Sequence, residues 1–411
     1  MRKIFTSIDI GTDTIKIVCL EYFNHKYNCL ARSIVPSQGV KQGLIIDATK
    51  VSSAIKKGIK EIESNLGTKI TEVLAIVPST NVTFDIVSGN VNLPEDNNKV
   101  TGEVIFSCLQ NALKNNVKEG YEVVSVMPIE YRADNTVIKD PFNITCKKLE
   151  VKAVASSVPK KNVYSVASII ESLNLDVIDI VFSSVGNYYS VKTPDLDNKV
   201  VALIDIGDET TKLAIFNKGI MIKEKIMLMG GRNIDEDIAF NYKVDDAKKI
   251  KEEFAVSNRK YADSDEVYTC INRVGEKINI NQYDLSQIIE SRCVEILKKV
   301  KNEINNLTNR EIGYIIISGG ITSMLGFDAI AEELFARNSS VIHLGIIGIR
   351  ENRYAACYGM IKYFNEKLKM RDKEYTMLSE DKIEEMLDAR KKVTSVGVLG
   401  KVFKIFEGDD K

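Results

Sequence analysis

The feature that most restricts the fold is a short motif that occurs twice. The segments SIDIGTDTIKIV and LIDIGDETTKLA begin at Ser7 and Leu203 of the 411-residue chain. Each runs from an apolar stretch into a turn with glycine and small polar residues, then back into an apolar stretch, which predicts a β-hairpin. At one constant offset, the matched pairs are Asp9 and Asp205, Gly11 and Gly207, Thr14 and Thr210, and Lys16 and Lys212. The repeat therefore indicates two related halves.

The chemistry of each hairpin tip suits a phosphate group. Glycine lets the backbone approach closely, and consecutive N–H groups with Thr hydroxyls can cradle phosphate oxygens. An aspartate at the end of the preceding strand can hold Mg²⁺, usually through water. One such hairpin alone could be an ordinary turn, but two copies in one register favour a clamp around a polyphosphate. The predicted contacts are Gly11, Thr12, Asp13, Thr14, Lys16, Gly207, Asp208, Thr210 and Thr211, with Asp9 and Asp205 at the metal.

Two later segments could complete such a site. The buried-strand run YIIIS from Tyr314 leads into Gly319 and Gly320, where a flat ring or ribose can lie against bare backbone, with Met324 close behind. A glycine pair alone is usually just a turn. The charged helical stretch 245–254 holds Lys251 and Glu252, and its simpler interpretation is a solvated helix face.

Composition excludes several classes of function. The 56 Lys plus Arg balance 57 Asp plus Glu, so no basic excess points to nucleic acid. Seven cysteines form no CxxC pair, and His25 and His343 lie far apart, which argues against a zinc site or a Ser/His/Asp triad. No run reaches the roughly 18 apolar residues of a transmembrane helix, and no signal peptide opens the chain. We expect a cytosolic protein whose membrane contact, if any, is peripheral.

Taken together, these motifs resemble the actin, heat-shock chaperone and sugar-kinase superfamily. The order of two phosphate hairpins followed by an adenosine glycine pair matches, and IKEE from Ile250 resembles the nucleotide-contacting helix. GIRENRYAACYGMIKYF from Gly348 is similar to the last connecting helix, with Ala355, Ala356 and Gly359 suited to close packing. The resemblance implies a duplicated two-domain α/β fold, actin-like and ribonuclease H-like, that binds ATP and Mg²⁺.

Within that superfamily the chain resembles the FtsA family, over roughly residues 4–364. ITEVLAIVPSTNVTFDIVSGNV from Ile70 and EVVSVMPIEYRADNTVIKDPFNITCKKLEVKAVAS from Glu122 resemble the borders of the family's inserted 1C subdomain. KIMLMGGRNIDEDIA is similar to the glycine pair before a helix that opens the second domain, and its Gly230 and Gly231 are expected nucleotide contacts. LSQIIESRCVEILKKV carries Arg292, which matches a family arginine near the partner-binding subdomain. The alternative role for Arg292 is an ordinary i,i+3 pair with Glu295.

The resemblance also implies a division of the chain into subdomains. The expected parts are 1A in 1–80, 161–197 and the closing helix 346–368; 1C (SHS2-like) in 81–160; 2A in 198–232 and 307–345; 2B in 233–306; a charged linker in 369–393; and a membrane-targeting tail in 394–411.

Two departures from the superfamily pattern bear on activity. The second hairpin reads DIGDET instead of a glycine-rich turn, so Asp208 and Glu209 should bring repulsive charge near the phosphates. Where many members have a Glu-Pro that positions attacking water, this chain has Ser183 and Ser184, and serine cannot act as a carboxylate base. We therefore expect at most a weak ATPase.

The C-terminal segment TSVGVLGKVFKIFEGDDK has an amphipathic pattern. On a helical template one apolar stripe forms, flanked by Lys401 and Lys404, which suits a reversible anchor on an anionic membrane. The alternatives are a core helix or a partner-docking helix. The residues of the stripe are Val396, Leu399, Val402, Phe403 and Phe406.

The resemblance implies a membrane adaptor for cell division. Such a protein would tether filaments of the tubulin-like FtsZ through the FtsZ C-terminal tail, assemble with itself and with other divisome proteins in the Z-ring, and lie on the cytoplasmic face of the membrane. The alternatives are a PilM-like pilus-assembly protein, which generally lacks such a tail, and a sugar kinase or phosphatase, which would need a catalytic base.

Overall fold

The first part of the chain forms a mixed sheet backed by a helix. The computed structural model describes residues 2–95, 98–114 and 116–386. Strand β1 is almost wholly buried, although half of its residues are polar, because it lies at the centre of the sheet, where both faces are covered. The elements in chain order are β1 (Lys3–Ile10), β2 (Thr14–Phe23), β3 (Lys26–Pro36), β4 (Val40–Lys41), β5 (Leu44–Ile45), α1 (Ala48–Leu66) and β6 (Glu72–Val77).

An inserted unit with its own small core follows. Its antiparallel sheet has the order β7-β10-β8-β9, and α2 packs on one face. The helix lies so close to β7 that a Cβ at Gly89 would be 2.3 Å from the Ala112 nitrogen. The elements are β7 (Thr83–Asn92), α2 (Gly102–Leu113), β8 (Tyr121–Ala133), β9 (Thr136–Ile138) and β10 (Lys148–Pro159).

The chain then returns to complete the first sheet. Strand β11 adds parallel to β6, which is itself parallel to β1, giving the order β11-β6-β1-β2-β3. Helix α4 starts directly where β11 ends, so its first residues lie at the edge of the sheet where the β1–β2 turn also lies. The returning elements are α3 (Lys160–Glu171), β11 (Asp176–Phe182), α4 (Ser183–Val191) and α5 (Pro194–Asp197).

The second half repeats this topology. Its sheet has the order β14-β13-β12-β17-β18, and as in the first sheet two antiparallel pairs lie on one side of the first strand and two parallel pairs on the other. The two halves predicted from the repeated motif are thus confirmed. The elements are β12 (Val200–Ile206), β13 (Thr211–Asn217), β14 (Ile220–Met227), α6 (Gly231–Tyr242), α7 (Ala247–Phe254), β15 (Val267–Ile271), β16 (Lys277–Asn281), α8 (Gln282–Leu307), β17 (Tyr314–Gly319), α9 (Phe327–Phe335) and β18 (Ser339–Val341).

A last helix, α10 (Ala355–Met370), crosses back to the first half and packs against α4. The contact brings two backbones together: a Cβ at Gly359 would lie 1.6 Å from the Gly186 carbonyl oxygen, and one at Gly186 would lie 2.4 Å from the Ala356 oxygen. The close packing predicted for this small-residue helix is therefore observed. It fixes α4 in position.

The expected charged linker, 369–393, is wrong for its described part. The Met377 N–H donates to the Ile4 carbonyl at 2.9 Å, and Met377, Leu378, Ile383 and Met386 are buried in the core of the first half. These apolar residues recur among the charged ones and cover a part of β1 that β6 does not pair. The predicted membrane stripe, from Val396 to Phe406, lies outside the described residues. Within the described chain, no helix is long and apolar enough to cross a bilayer.

Candidate functional site

A cavity of about 460 Å³ lies between the two halves, a size typical of small-ligand sites. Both hairpin tips, the end of β17 and helix α7 line it, so elements far apart in the chain converge there. The predicted residues that line the cavity are Asp9, Gly11, Thr12, Asp13, Thr14, Lys16, Asp205, Gly207, Asp208, Thr210, Gly231, Lys251, Glu252, Gly319, Gly320 and Met324.

The two hairpins have the same local geometry. Gly11 N donates to Thr14 O at 3.1 Å, and Gly207 N donates to Thr210 O at 2.9 Å. In both, the aspartate lies opposite the lysine across the strand pair. A side chain is excluded at Gly11 because a Cβ would lie 2.8 Å from Thr14 O and 2.9 Å from Lys16 Nζ. The hairpins predicted from the repeat are confirmed, and their role in binding stays a prediction.

At the base of the first hairpin, lysine and aspartate pair within the repeat. Lys16 Nζ lies 3.1 Å from Asp9 Oδ2. Burial disfavours the ammonium, but the Asp9 carboxylate outweighs that effect and raises the pKa of Lys16. Lys16 therefore stays charged beside the cavity, which suits an anionic ligand.

At the base of the second hairpin the matched pair is rearranged. Lys212 Nζ donates to the Ser183 hydroxyl at 2.7 Å instead of pairing with Asp205. The Asn187 side chain donates to Asp205 instead. Burial raises the pKa of Asp205, with Lys212 acting in the opposite direction and Asp9 adding to the rise. Among the described residues, Asp205 is therefore a buried carboxylate without a direct ion pair, and a cation in the cavity would supply one.

The repulsion expected from the two carboxylates of the second turn is offset by a positively charged residue from another element. Arg232, in the first turn of α6, forms ion pairs with both Asp208 and Glu209. The turn and helix are joined further because Gly231 N and Arg232 N donate to Gly207 O and Asp208 O at 2.9 and 2.8 Å. The two carboxylates are thus neutralised by a partner that the hairpin sequence does not contain.

Two predicted contact residues do not line the cavity. Thr211 Oγ1 donates to Met229 O at 2.8 Å, in the segment that joins β14 to α6. Gly230 lies under the hairpin, where a Cβ would be 2.5 Å from Gly207 O. Both support the second turn from behind and are kept from the cavity by that packing.

The proposed nucleoside side of the cavity is built from β17 and α7. Gly319 has a φ of 117°, and a Cβ there would lie 2.0 Å from Ile206 O, whereas Gly320 faces open space. Lys251 lines the cavity, but its ammonium is held by Asp235 at 2.6 Å and Gly231 O at 3.1 Å. Glu252 is mostly exposed and lies 3.8 Å from Lys248.

Several cavity residues were not predicted. Lys248 of the second half pairs with Asp13 of the first. Glu209 of the second half accepts the Gln42 N–H of the first at 2.6 Å, so this contact also joins the halves. For Lys212 the sequence does carry a signal, because the repeat matches it with Lys16, a predicted contact. The others carry no spacing signal because they come from other elements; they include Ser183, Asn187, Lys248, Ser323, Asn352 and Arg353.

Arg292 lies on α8, away from the cavity. Its guanidinium is held by Asp237 of α6 at 2.7 and 2.8 Å and by Glu295 at 2.6 Å. The i,i+3 pair expected as a structural alternative is therefore present. The arginine is 27% exposed in its side chain, and its role with a partner stays a prediction.

Comparisons with known proteins agree with this architecture. The family model "Cell division protein FtsA" matches residues 202–359, and "SHS2 domain inserted in FTSA" matches residues 80–155. The FtsA of Bacillus subtilis is 24% identical over 367 residues, covering 88% of this chain and 83% of that protein. The FtsA of Staphylococcus epidermidis is 26% identical over 364 residues, covering 87% and 78%.

Solved structures support the fold alone. The PilM–PilN type IV pilus biogenesis complex aligns with a TM-score of 0.57 at 12% identity, covering 90% of this chain and 98% of that one. MreB5 of Spiroplasma citri bound to ADP aligns with a TM-score of 0.53 at 14% identity, covering 90% and 99%. With an actin-like fold, an SHS2 insertion and relatives over most of its length, the chain belongs to the FtsA family of cell division proteins.

Proposed function

We propose that this protein binds Mg²⁺-ATP in the cleft between its two halves. The observation that carries the proposal is the pair of matching hairpins facing one cavity of about 460 Å³. Lys16 and the tip N–H groups are donors suited to phosphate oxygens, and the backbone at Gly320 is open to a flat nucleoside. The MreB5 structure, which is bound to ADP, supports the assignment by analogy of fold.

Asp9 and Asp205 fit a magnesium ion held jointly with phosphate. Within residues 2–95, 98–114 and 116–386, no cluster of three or more His, Cys, Asp or Glu side chains is placed to hold a metal ion. Mg²⁺ commonly uses one or two carboxylates and takes its other oxygens from phosphate and water. Burial raises the pKa of Asp205, and a bound cation would favour its ionised form. The ion would neutralise phosphate charge.

Binding is tested by titrating the full-length chain with a fluorescent ATP analogue, with and without Mg²⁺. Asp205→Ala should weaken Mg²⁺-dependent binding, whereas Asp195→Ala, on the surface next to Lys199, should leave it unchanged. Equal affinity of the Asp205→Ala variant and the parent would refute the clamp.

At the cellular level, we propose an adaptor that links FtsZ filaments to the cytoplasmic membrane at the division site. The names of the relatives support a role in division, and the amphipathic pattern of the C-terminal segment supports the membrane contact. ATP would control self-assembly, and turnover would be slow because Ser183 stands where a carboxylate base is expected.

Two measurements separate the parts of this role. Removing residues 396–411 should abolish co-sedimentation with anionic liposomes, and Lys401→Glu with Lys404→Glu should weaken it. Undiminished sedimentation of the truncated chain would exclude the anchor. A peptide with the FtsZ C-terminal tail should be retained by the protein, with Arg292→Ala reducing retention; no retention by the parent would exclude this partner.

A further inference from the structure

The floor of the cavity contains a polar cluster that joins the two halves. Ser183 and Ser184 are the first residues of α4, and both are buried. Lys212 Nζ, from β13, donates to Ser183 Oγ at 2.7 Å, and Ser184 Oγ donates to the carboxyl of Glu224, from β14. Of these, Ser183 and Lys212 line the cavity.

The arrangement fixes the direction of the Ser183 hydroxyl. A serine hydroxyl has one proton and two acceptor lone pairs. Because Lys212 occupies an acceptor position, the Ser183 proton is left to donate, and the described residues give it no acceptor. Ser183 is therefore a donor beside the cavity, next to a cationic amine.

Glu224 supports this arrangement from behind. Its oxygen Oε1 accepts from Ser184, and the residue does not line the cavity. Burial raises the pKa of this carboxyl, and Lys212 acts in the opposite direction. Glu224 is thus a buried carboxylate that can balance the charge of Lys212.

The far end of a bound phosphate chain is the part that would meet Ser183. The predicted nucleoside contacts, Gly319, Gly320 and Met324, belong to the second half. Phosphates extending from there pass between the two hairpin tips. Ser183 belongs to the first half and is held by Lys212 from the base of the second hairpin, so we place the last phosphate of the chain beside it.

We infer that Ser183 determines specificity for the terminal phosphate of a nucleoside triphosphate, with Glu224 as a positioning residue that acts through Lys212 and Ser184. The inference rests on the proposed binding of ATP. Serine and lysine donate hydrogen bonds to phosphate oxygens but do not remove a proton from water. The cluster therefore holds the triphosphate and does not promote its hydrolysis.

The test compares ATP and ADP affinities of the full-length chain with Mg²⁺ by competition with a fluorescent nucleotide. Ser183→Ala should weaken ATP binding about tenfold, as expected for one hydrogen bond to a charged group, and ADP binding less than about twofold. Ser183→Thr should restore the preference. Glu224→Gln should reduce the ATP-to-ADP preference in the same direction as Ser183→Ala.

Ser190→Ala is the matched control, because Ser190 is on the same helix and donates to Asn187 O away from the cavity. A loss of ATP and ADP affinity to equal degrees in Ser183→Ala, or no loss of either, would overturn the inference while leaving ATP binding intact. If the parent chain binds neither nucleotide, the proposed function fails and this inference fails with it.

Discussion

The carboxylates around the cavity differ in how their charge is balanced. Asp9 has Lys16 at 3.1 Å, whereas Lys212, the counterpart in the second repeat, is turned toward Ser183. Asp205 is left with an amide donor and a raised pKa, caused first by burial. A buried carboxylate in such an environment lowers the stability of the folded chain at neutral pH.

Asp205→Asn should therefore stabilise the protein without nucleotide and weaken Mg²⁺-dependent binding. A carboxyl whose folded pKa is raised gives stability below its unfolded pKa, near 4, and loses it as pH rises through the folded value. The gain in melting temperature from Asp205→Asn should thus be absent near pH 4 and grow toward neutral pH. Melting curves across that range check this, and a gain that is largest in acid would contradict it.

At the scale of elements, the second phosphate turn depends on helix α6. The turn residues Asp208 and Glu209 carry two negative charges where an anion would bind, and Arg232 pairs with both. The pKa of Asp208 is raised by burial and lowered by Arg232. Helix α6 thus turns an unfavourable sequence into a usable turn.

Arg232→Ala should weaken nucleotide binding by about tenfold, because two uncompensated carboxylates would then face the phosphates at partly exposed positions. The loss should shrink in high salt, which screens such repulsion. Titration with a fluorescent nucleotide at low and high salt measures both effects. Arg310→Ala removes the same charge elsewhere and should have no effect; a similar loss in that control would exclude the explanation.

The contact between α4 and α10 is the tightest approach of two helices that bears on the site. Gly359→Ala should destabilise the protein by about 3 kcal/mol or more, at the upper end of overpacking costs, because its Cβ would lie 1.6 Å from Gly186 O. Gly345→Ala is the control, since a Cβ there meets nothing within 4 Å. Urea unfolding measures both; a small effect at Gly359 would mean that the helices can separate without cost.

At the scale of the whole molecule, the two halves touch across the mouth of the cleft. Lys248 of the second half pairs with Asp13 of the first, and Glu209 accepts the Gln42 N–H at 2.6 Å. These contacts are partly exposed, so each contributes up to about 1 kcal/mol and is screened by salt. Together they favour a closed cleft.

Lys248→Met combined with Glu209→Gln should speed the release of a fluorescent nucleotide and make the release less dependent on salt than in the parent. Lys199→Met, which removes a surface pair with Asp195, is the control and should release at the parental rate. Stopped-flow chase experiments at several salt concentrations give the rates. An unchanged rate with an unchanged salt dependence would show that these contacts do not hold the cleft closed.

The sequence by itself determined the two hairpins, the duplication and nearly half of the cavity lining. Alternating apolar runs, a glycine and fixed Asp-to-Lys spacing are local properties, so they can be read within twelve residues of chain. The small residues of the last helix likewise predicted the close contact at Gly359. The repeat also brought in Thr211, and the family resemblance brought in Gly230; both lie behind the turn.

Only the tertiary structure decided which charges meet. Three contacts join separate elements: Lys212 with Ser183, Arg232 with the acidic turn, and Lys248 with Asp13. Spacing along the sequence does not predict such pairs. The same reason explains why the prediction of a charged linker was wrong. Its charged composition predicted a solvated segment, but Met377 and Leu378 are buried beside β1. Local patterns fix elements, whereas packing between elements fixes the electrostatics of the site.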